Sequence, residues 1–292
     1  MPSLKEVKSR ITSVISTQQI TKAMKMVAAA KLRKSQDRIM QMRPFAKRLS
    51  YLLQNLSGAG GDGPAWYNVQ REEKNILIVV VSSDRGLCGS FNSTVIKATV
   101  KLAQEKYQQQ WKKGQVTILP IGKKAFEFFS KRNFRTIDTH WNMIPTLTYE
   151  KVAEVAEFIM NAYQKGEFDK VEFVYNEFKN VATQILRTEQ FLPILPPQQQ
   201  TKTAEVDYIY QPNRDEIVSG LIPKSLKVQL FKGILDSIAS ENGARMTAMD
   251  KATENAGELL KELKLTYNRT RQAAITKEIL EIVAGAEALK AS

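Results

Sequence analysis

The 292-residue chain has a single cysteine, Cys88, and a single histidine, His140. One cysteine excludes an intrachain disulfide, in keeping with a reducing compartment. One cysteine and one histidine cannot make a zinc cluster. The two lie far apart in sequence, so no local pattern supports a Cys–His nucleophile. Aspartates and glutamates are scattered, without a spacing that marks a catalytic pair. The strand-to-helix turn Ser83-Asp84-Arg85-Gly86-Leu87-Cys88-Gly89-Ser90 sits where α/β folds bind phosphate, yet it lacks both the GxGxxG spacing and the Gly-Lys-Ser/Thr of a P-loop. Gly86 and Gly89 are expected simply to make a tight turn there. No catalytic residue, metal or cofactor is expected.

Long apolar runs are also missing. None reaches the ~20 residues that span a bilayer, and the run 75–81 is of strand length. The N-terminus has no apolar secretory core. It is basic and amphipathic, as transit peptides are, but its pattern continues for fifty residues as a structural helix would. Residues 1–43 contain no aromatic side chain, which removes base stacking from that segment. No proline follows Pro223.

Positive charge is present and uneven. Net charge is +13, of which +10 falls in residues 1–50, whereas residues 225–292 carry about +1. A basic helix calls for an anionic partner: nucleic acid, lipid head groups or acidic protein loops. Leu4, Val7, Ile11 and Val14 keep the 3-4 spacing of a coiled-coil seam. Thr17, Gln18 and Gln19 interrupt it, and Ile20, Met24 and Val27 are expected to resume it one residue out of step. Ala28-Ala29-Ala30 offers a thin surface for a second helix. Met42, Phe45, Leu49, Leu52 and Leu56 complete the stripe, with Pro44 expected to bend or break the helix.

From Ser225 a second helical pattern runs to the end through Phe231, Ile234, Ile238, Arg245, Met249, Ala252, Ala256, Leu259, Leu263 and Tyr267, then Ile275, Ile279, Ile282, Ala286 and Leu289. Gly233, Gly243, Gly257 and Gly285 each cost about 1 kcal/mol in a helix, so partners or close approach must hold it. Helices of this length, roughly 80 and 100 Å at 1.5 Å per residue, exceed a small domain. They are expected to pair as an antiparallel rod. The polar patch Tyr267–Gln272 offers forked donors, Arg271 among them, for an external carboxylate. The residues beyond it are apolar on several sides, and an exposed apolar tip implies an absent partner.

Between the helices, strand patterns at 76–82, 116–121, 171–175 and 183–192 alternate with helices at 92–111, 123–131 and 149–163. A further edge strand is expected at Val206–Tyr210. This alternation predicts an α/β fold with a mainly parallel, Rossmann-like sheet. The resulting domains are 1–57, 70–215 and 225–292, the first pairing with the last.

Leu4–Ile11 with Gln19–Leu32, Ser83–Gly89, and Arg245–Asp250 with Leu265–Arg269 and Arg271–Thr276 together resemble the gamma subunit of F-type ATP synthase over essentially the whole chain, 190–215 excepted. The resemblance implies a non-catalytic rotor. Its coiled-coil shaft would turn inside the hexamer of α and β subunits, and its α/β domain would sit with the epsilon subunit on the c-ring. Proton flow would thereby couple to ATP synthesis or hydrolysis. Met24, Lys25, Arg271, Gln272 and Thr276 match positions that meet β-subunit loops, and Ile275, Ile279, Ile282, Val283 and Leu289 match the bearing tip. The resemblance also implies peripheral attachment to the cytoplasmic side of a bacterial inner membrane, without direct membrane insertion or nucleic-acid binding. The residues alone leave one alternative, a nucleic-acid-binding protein with a basic coiled-coil arm, whose binding would depend steeply on salt.

Overall fold

The backbone of residues 3–58, 67, 69, 71–132, 134–194 and 214–290 is described in a computed structural model. The expected strand at Val206–Tyr210 and the side chain of Leu289 lie outside the described residues. The chain forms two compact units, Met1–Val27 with Met246–Ser292, and Ala28–Arg245.

The second unit is built on five strands in the order β3-β2-β1-β4-β5: β1 Ile76–Val81, β2 Val116–Ile121, β3 Arg135–Thr136, β4 Lys170–Phe178 and β5 Gln184–Leu192. Strands β1 to β4 are parallel, and β5 returns antiparallel beside β4. β1 is central and wholly buried, which is why its sequence is an unbroken apolar run. Its side chains alternate between two cores. Leu77, Val79 and Val81 join Val152, Val155 and Ile159 of α5 (Tyr149–Gln164) and Leu226, Leu230 and Ile234 of α6 (Arg214–Lys290). Ile76, Ile78 and Val80 face Val95 and Ile96 of α2 (Phe91–Lys101) and Ala125 and Phe129 of α4 (Lys123–Ser130).

Three local expectations change. The helical segment after β1 is not continuous from 92 to 111: a π-turn at Leu102–Lys106 separates α2 from α3 (Gln108–Lys112). Such turns insert a residue and re-aim the helix. Here the turn delivers Lys106 and Tyr107 to Glu172, a buried acid on β4. Lys106 Nζ lies 2.5 Å from Glu172 Oε1, and the Tyr107 hydroxyl donates to the same oxygen. A buried carboxylate needs such partners. Burial, and then Glu172, push the Tyr107 hydroxyl well above its ordinary pKa.

Pro44 does not end the first helix: α1 runs from Leu4 to Gly58 with Pro44 inside. The last helix starts at Arg214, ahead of the expected Ser225, and carries Pro223 inside. Its first part is neither free nor part of a two-helix rod. It covers one face of the sheet, so burial offsets the hydrogen bond that a helical proline forfeits. The same helix packs against α1 in this unit, where Leu32 and Ile39 meet Leu235, Ala239 and Phe178.

Candidate partner-binding surfaces

In the first unit, the start of α1 and the last part of α6 form an antiparallel pair. Lys25 pairs with Asp250, the hydroxyls of Thr21 and Thr253 lie 2.8 Å apart, and Gln18 Nε2 donates to the Thr253 carbonyl at 3.4 Å. A methyl group on Gly257 would stand 3.2 Å from Gln18 Nε2, so glycine admits that side chain. The inward positions of α1 are Leu4, Val7, Ile11, Val14, Gln18, Thr21 and Lys25. This is an uninterrupted heptad seam whose middle is polar.

The expected shift onto Ile20, Met24 and Val27 fails at Ile20 and Val27, which are 60% and 56% exposed, while Met24 is half-buried beside Lys25. Ile20 and Val27 look like core residues by hydropathy, but Gln18, Thr21 and Lys25 hold the seam because Thr253 and Asp250 face them. On α6 the seam is Met249, Thr253, Ala256, Leu260, Leu263, Tyr267, Thr270 and Ala274, with Leu260 rather than the expected Leu259 buried.

Counting from Lys25 opposite Asp250, the start of α1 at Leu4 comes level with Arg271. Beyond Ala274, every residue of α6 with a described side chain is exposed, the large apolar ones from 49% at Ile275 to 71% at Ile282. Ile279, Leu280 and Val283 are exposed as well. Arg271, Gln272 and Thr276 are exposed at the point where α1 stops covering α6. The site residues thus fall into two groups. Arg271, Gln272, Thr276, Ile275, Ile279, Ile282 and Val283 share the uncovered tip. Met24 and Lys25 sit roughly 30 Å along the pair from Arg271, at 1.5 Å per residue. Both are half-buried, and Lys25 already has a carboxylate beside it.

In the second unit, the turn after β1 is spent on internal bonds. Asn92 Oδ1 accepts from the Ser83 amide at 2.9 Å, Asp84 Oδ1 accepts from the Lys123 amide at 3.0 Å, and Ser83 Oγ donates to the Arg85 carbonyl at 2.6 Å. Leu87 and Gly89 both take positive φ, 61° and 58°, which closes the turn tightly. From α6, Arg245 Nη2 donates to the carbonyls of Arg85 and Gly86 at 3.3 Å each. Arg245 is itself paired with Glu241 at 2.8 Å, both side chains 12% exposed. Burial raises the Glu241 carboxyl, and Arg245 opposes that rise. These amides and carbonyls leave little for a phosphate.

Burial also pushes the Cys88 thiol up, against a nucleophilic role. His140 instead packs tilted against Phe158, with ring centroids 5.6 Å apart. A groove of about 730 Å³ between α2 and α4 is lined by Ile96, Val100 and Phe128 and contains neither cysteine nor histidine.

A two-helix coil with one long, apolar, uncovered end marks the chain as a subunit of a larger assembly. The family model described as ATP synthase matches residues 3–289. The ATP synthase gamma chains of Cytophaga hutchinsonii, Flavobacterium johnsoniae and Chlorobaculum tepidum are 58%, 55% and 48% identical, each match covering 99% of this chain and at least 99% of the relative. The chain belongs to the ATP synthase gamma chain family. Its fold resembles a chain of the Euglena gracilis mitochondrial ATP synthase in an OSCP/F1/c-ring structure, with TM-score 0.69 and 20% identity, covering 99% of this chain and 95% of that one. It also resembles a chain from the central stalk/c-ring structure of the Tetrahymena thermophila mitochondrial ATP synthase, with TM-score 0.58 and 24% identity, covering 80% and 99%. The nucleic-acid alternative gains no support from these relatives.

Proposed function

We propose that this chain is the central-stalk rotor of an ATP synthase, carrying torque between a proton-driven c-ring and the catalytic β subunits without catalysing the reaction itself. The carrying observation is the end of the helix pair. Where α1 stops, α6 continues with Ile275, Ile279, Leu280, Ile282 and Val283 exposed on several sides. Such a surface suits an apolar sleeve formed by α and β subunits, because hydrophobic contact is non-directional and does not lock one angle. Arg271, Gln272 and Thr276 would meet a β-subunit loop at the rim of that sleeve. Met24 and Lys25 would meet a second, acidic loop farther along. The epsilon subunit and the c-ring would bind the second unit.

No helix among the described residues is long and apolar enough to cross a membrane. In this reading the chain is held at a bacterial inner membrane, on its cytoplasmic side, through the c-ring alone.

Mixing the chain with separately purified α and β subunits should yield an ATPase-active complex that retains it; if no such complex contains the chain, the rotor reading is wrong. Arg271→Ala combined with Gln272→Ala should lower ATP-driven rotation and synthesis by about tenfold, the equivalent of one or two lost charge-assisted contacts. The circular dichroism of the isolated chain should stay unchanged, because both side chains are exposed. Unaltered rotation in that double mutant would remove these residues from the contact.

A further inference from the structure

Lys25 occupies an inward seam position, yet its ammonium is paired across the coil with Asp250, and the two side chains remain 39% and 45% exposed. An ion pair that open to water contributes little to holding two helices together. Next to it, Lys22 is exposed and has no ion pair among the described residues. The surface beside the pair is therefore positive, suited to an acidic segment of a partner. Within it, Asp250 is the carboxylate already bound to the central lysine; Glu254, a turn farther along α6, is exposed and has no ion pair among the described residues.

We propose that Asp250 is a specificity-determining counter-ion. It holds Lys25 inside the helix pair and yields it to a carboxylate on the enclosing subunit, so that the lysine alternates between an internal and an external acid. This rests on the rotor reading above. The exchange swaps one water-exposed ion pair for another, so it comes close to balance and can reverse as the partner surface moves past. Without Asp250, the lysine would have only the external acid and would hold it longer. Without Lys25, Asp250 would face that acid as a like charge and repel it.

The test measures dissociation of this chain from the complex with α and β subunits across a range of sodium chloride concentrations. Asp250→Asn keeps the side-chain shape and should tighten the complex about three- to tenfold at low salt, with the gain vanishing near 1 M, where the Debye length is about 3 Å. Adding Lys25→Gln should abolish the gain, and adding Lys25→Arg should preserve it. Glu254→Gln should leave the complex within twofold of wild type. Circular dichroism of each variant guards against simple loss of the coil.

If the wild-type complex forms but Asp250→Asn binds equally or more weakly while remaining folded, Asp250 only sets helix register and the proposal falls alone. If Lys25→Gln changes nothing in either background, the Lys25 contact and the proposal both fall. If the wild-type chain forms no complex, the rotor reading fails first and takes the proposal with it.

Discussion

Gly233→Val is expected to destabilise the sheet-bearing unit by about 3 kcal/mol, the upper end for overpacking a core. Gly233 lies on α6 between Leu230 and Ile234, both fully buried on the sheet. A Cβ built there would collide with the ring of Phe173 on β4. That ring cannot retreat: it is fully buried, stacked on Tyr175 at 4.7 Å and in edge contact with Phe191 at 6.3 Å. Gly233→Ala should lose about 1 kcal/mol, as roughly 2 kcal/mol of overpacking exceeds about 1 kcal/mol gained in helix propensity.

All three tryptophans of the chain fall within Ala28–Arg245, so urea denaturation followed by tryptophan fluorescence reads this unit. Gly285→Ala is the control. A methyl group there meets nothing, and circular dichroism should show the tip helix more resistant to melting. A Gly233→Ala protein as stable as wild type would mean that α6 does not approach the sheet this closely.

The second large effect is expected at Arg245. Arg245→Ala strands the buried Glu241 carboxylate and frees the carbonyls of Arg85 and Gly86. Breaking a buried pair from one side costs about 3–5 kcal/mol. The loss should depend on pH, in a direction set by burial. Glu241 has its pKa raised by burial and held down mainly by Arg245, with Lys31 helping and Asp84 opposing. A carboxyl raised above its unfolded value, about 4.3, contributes its stability fully below that value and loses it as pH rises through the folded value. Removing Arg245 raises the folded value further and widens that window. The variant should therefore lie closest to wild type near pH 4 and fall away toward pH 8. Adding Glu241→Gln should recover most of the loss at pH 8, since a neutral amide has less to lose by burial. A pH-independent deficit would place the effect in the turn rather than in the carboxylate.

Much of the architecture was legible in residue order. The apolar run of β1 announced a strand buried on both faces, and strand-helix alternation announced the parallel sheet. The two long helical patterns and the charge concentrated in the first of them stood out equally. The coiled-coil seam was readable at its apolar end, Leu4 to Val14, and misleading beyond it. At Gln18, Thr21 and Lys25 the rule that inward means apolar fails, because each polar side chain is matched across the pair by Thr253 or Asp250. A partner more than two hundred residues away leaves no local trace. Lys25 accordingly read only as a residue for an external partner, although an acid of the same chain pairs with it. The turn at Ser83–Gly89 read as a tight strand-to-helix turn, but nothing local showed that α6 and α4 claim its carbonyls and its aspartate.

Periodicity, breakers and charge, all local properties, were enough to place the two long helices and four of the five strands, but not the two-residue β3 at Arg135–Thr136. They also located the basic flank and the apolar end of the last helix. Three-dimensional packing settled the rest: which residues of α6 lie on the sheet, which seam positions are polar, and how far α6 outruns α1. Each of these depends on which distant group stands opposite. Burial turns that pairing into energy, since the inward Glu172 is costly alone and tolerable beside Lys106 and Tyr107, and an interior glycine is a defect in a lone helix but a requirement beneath Phe173.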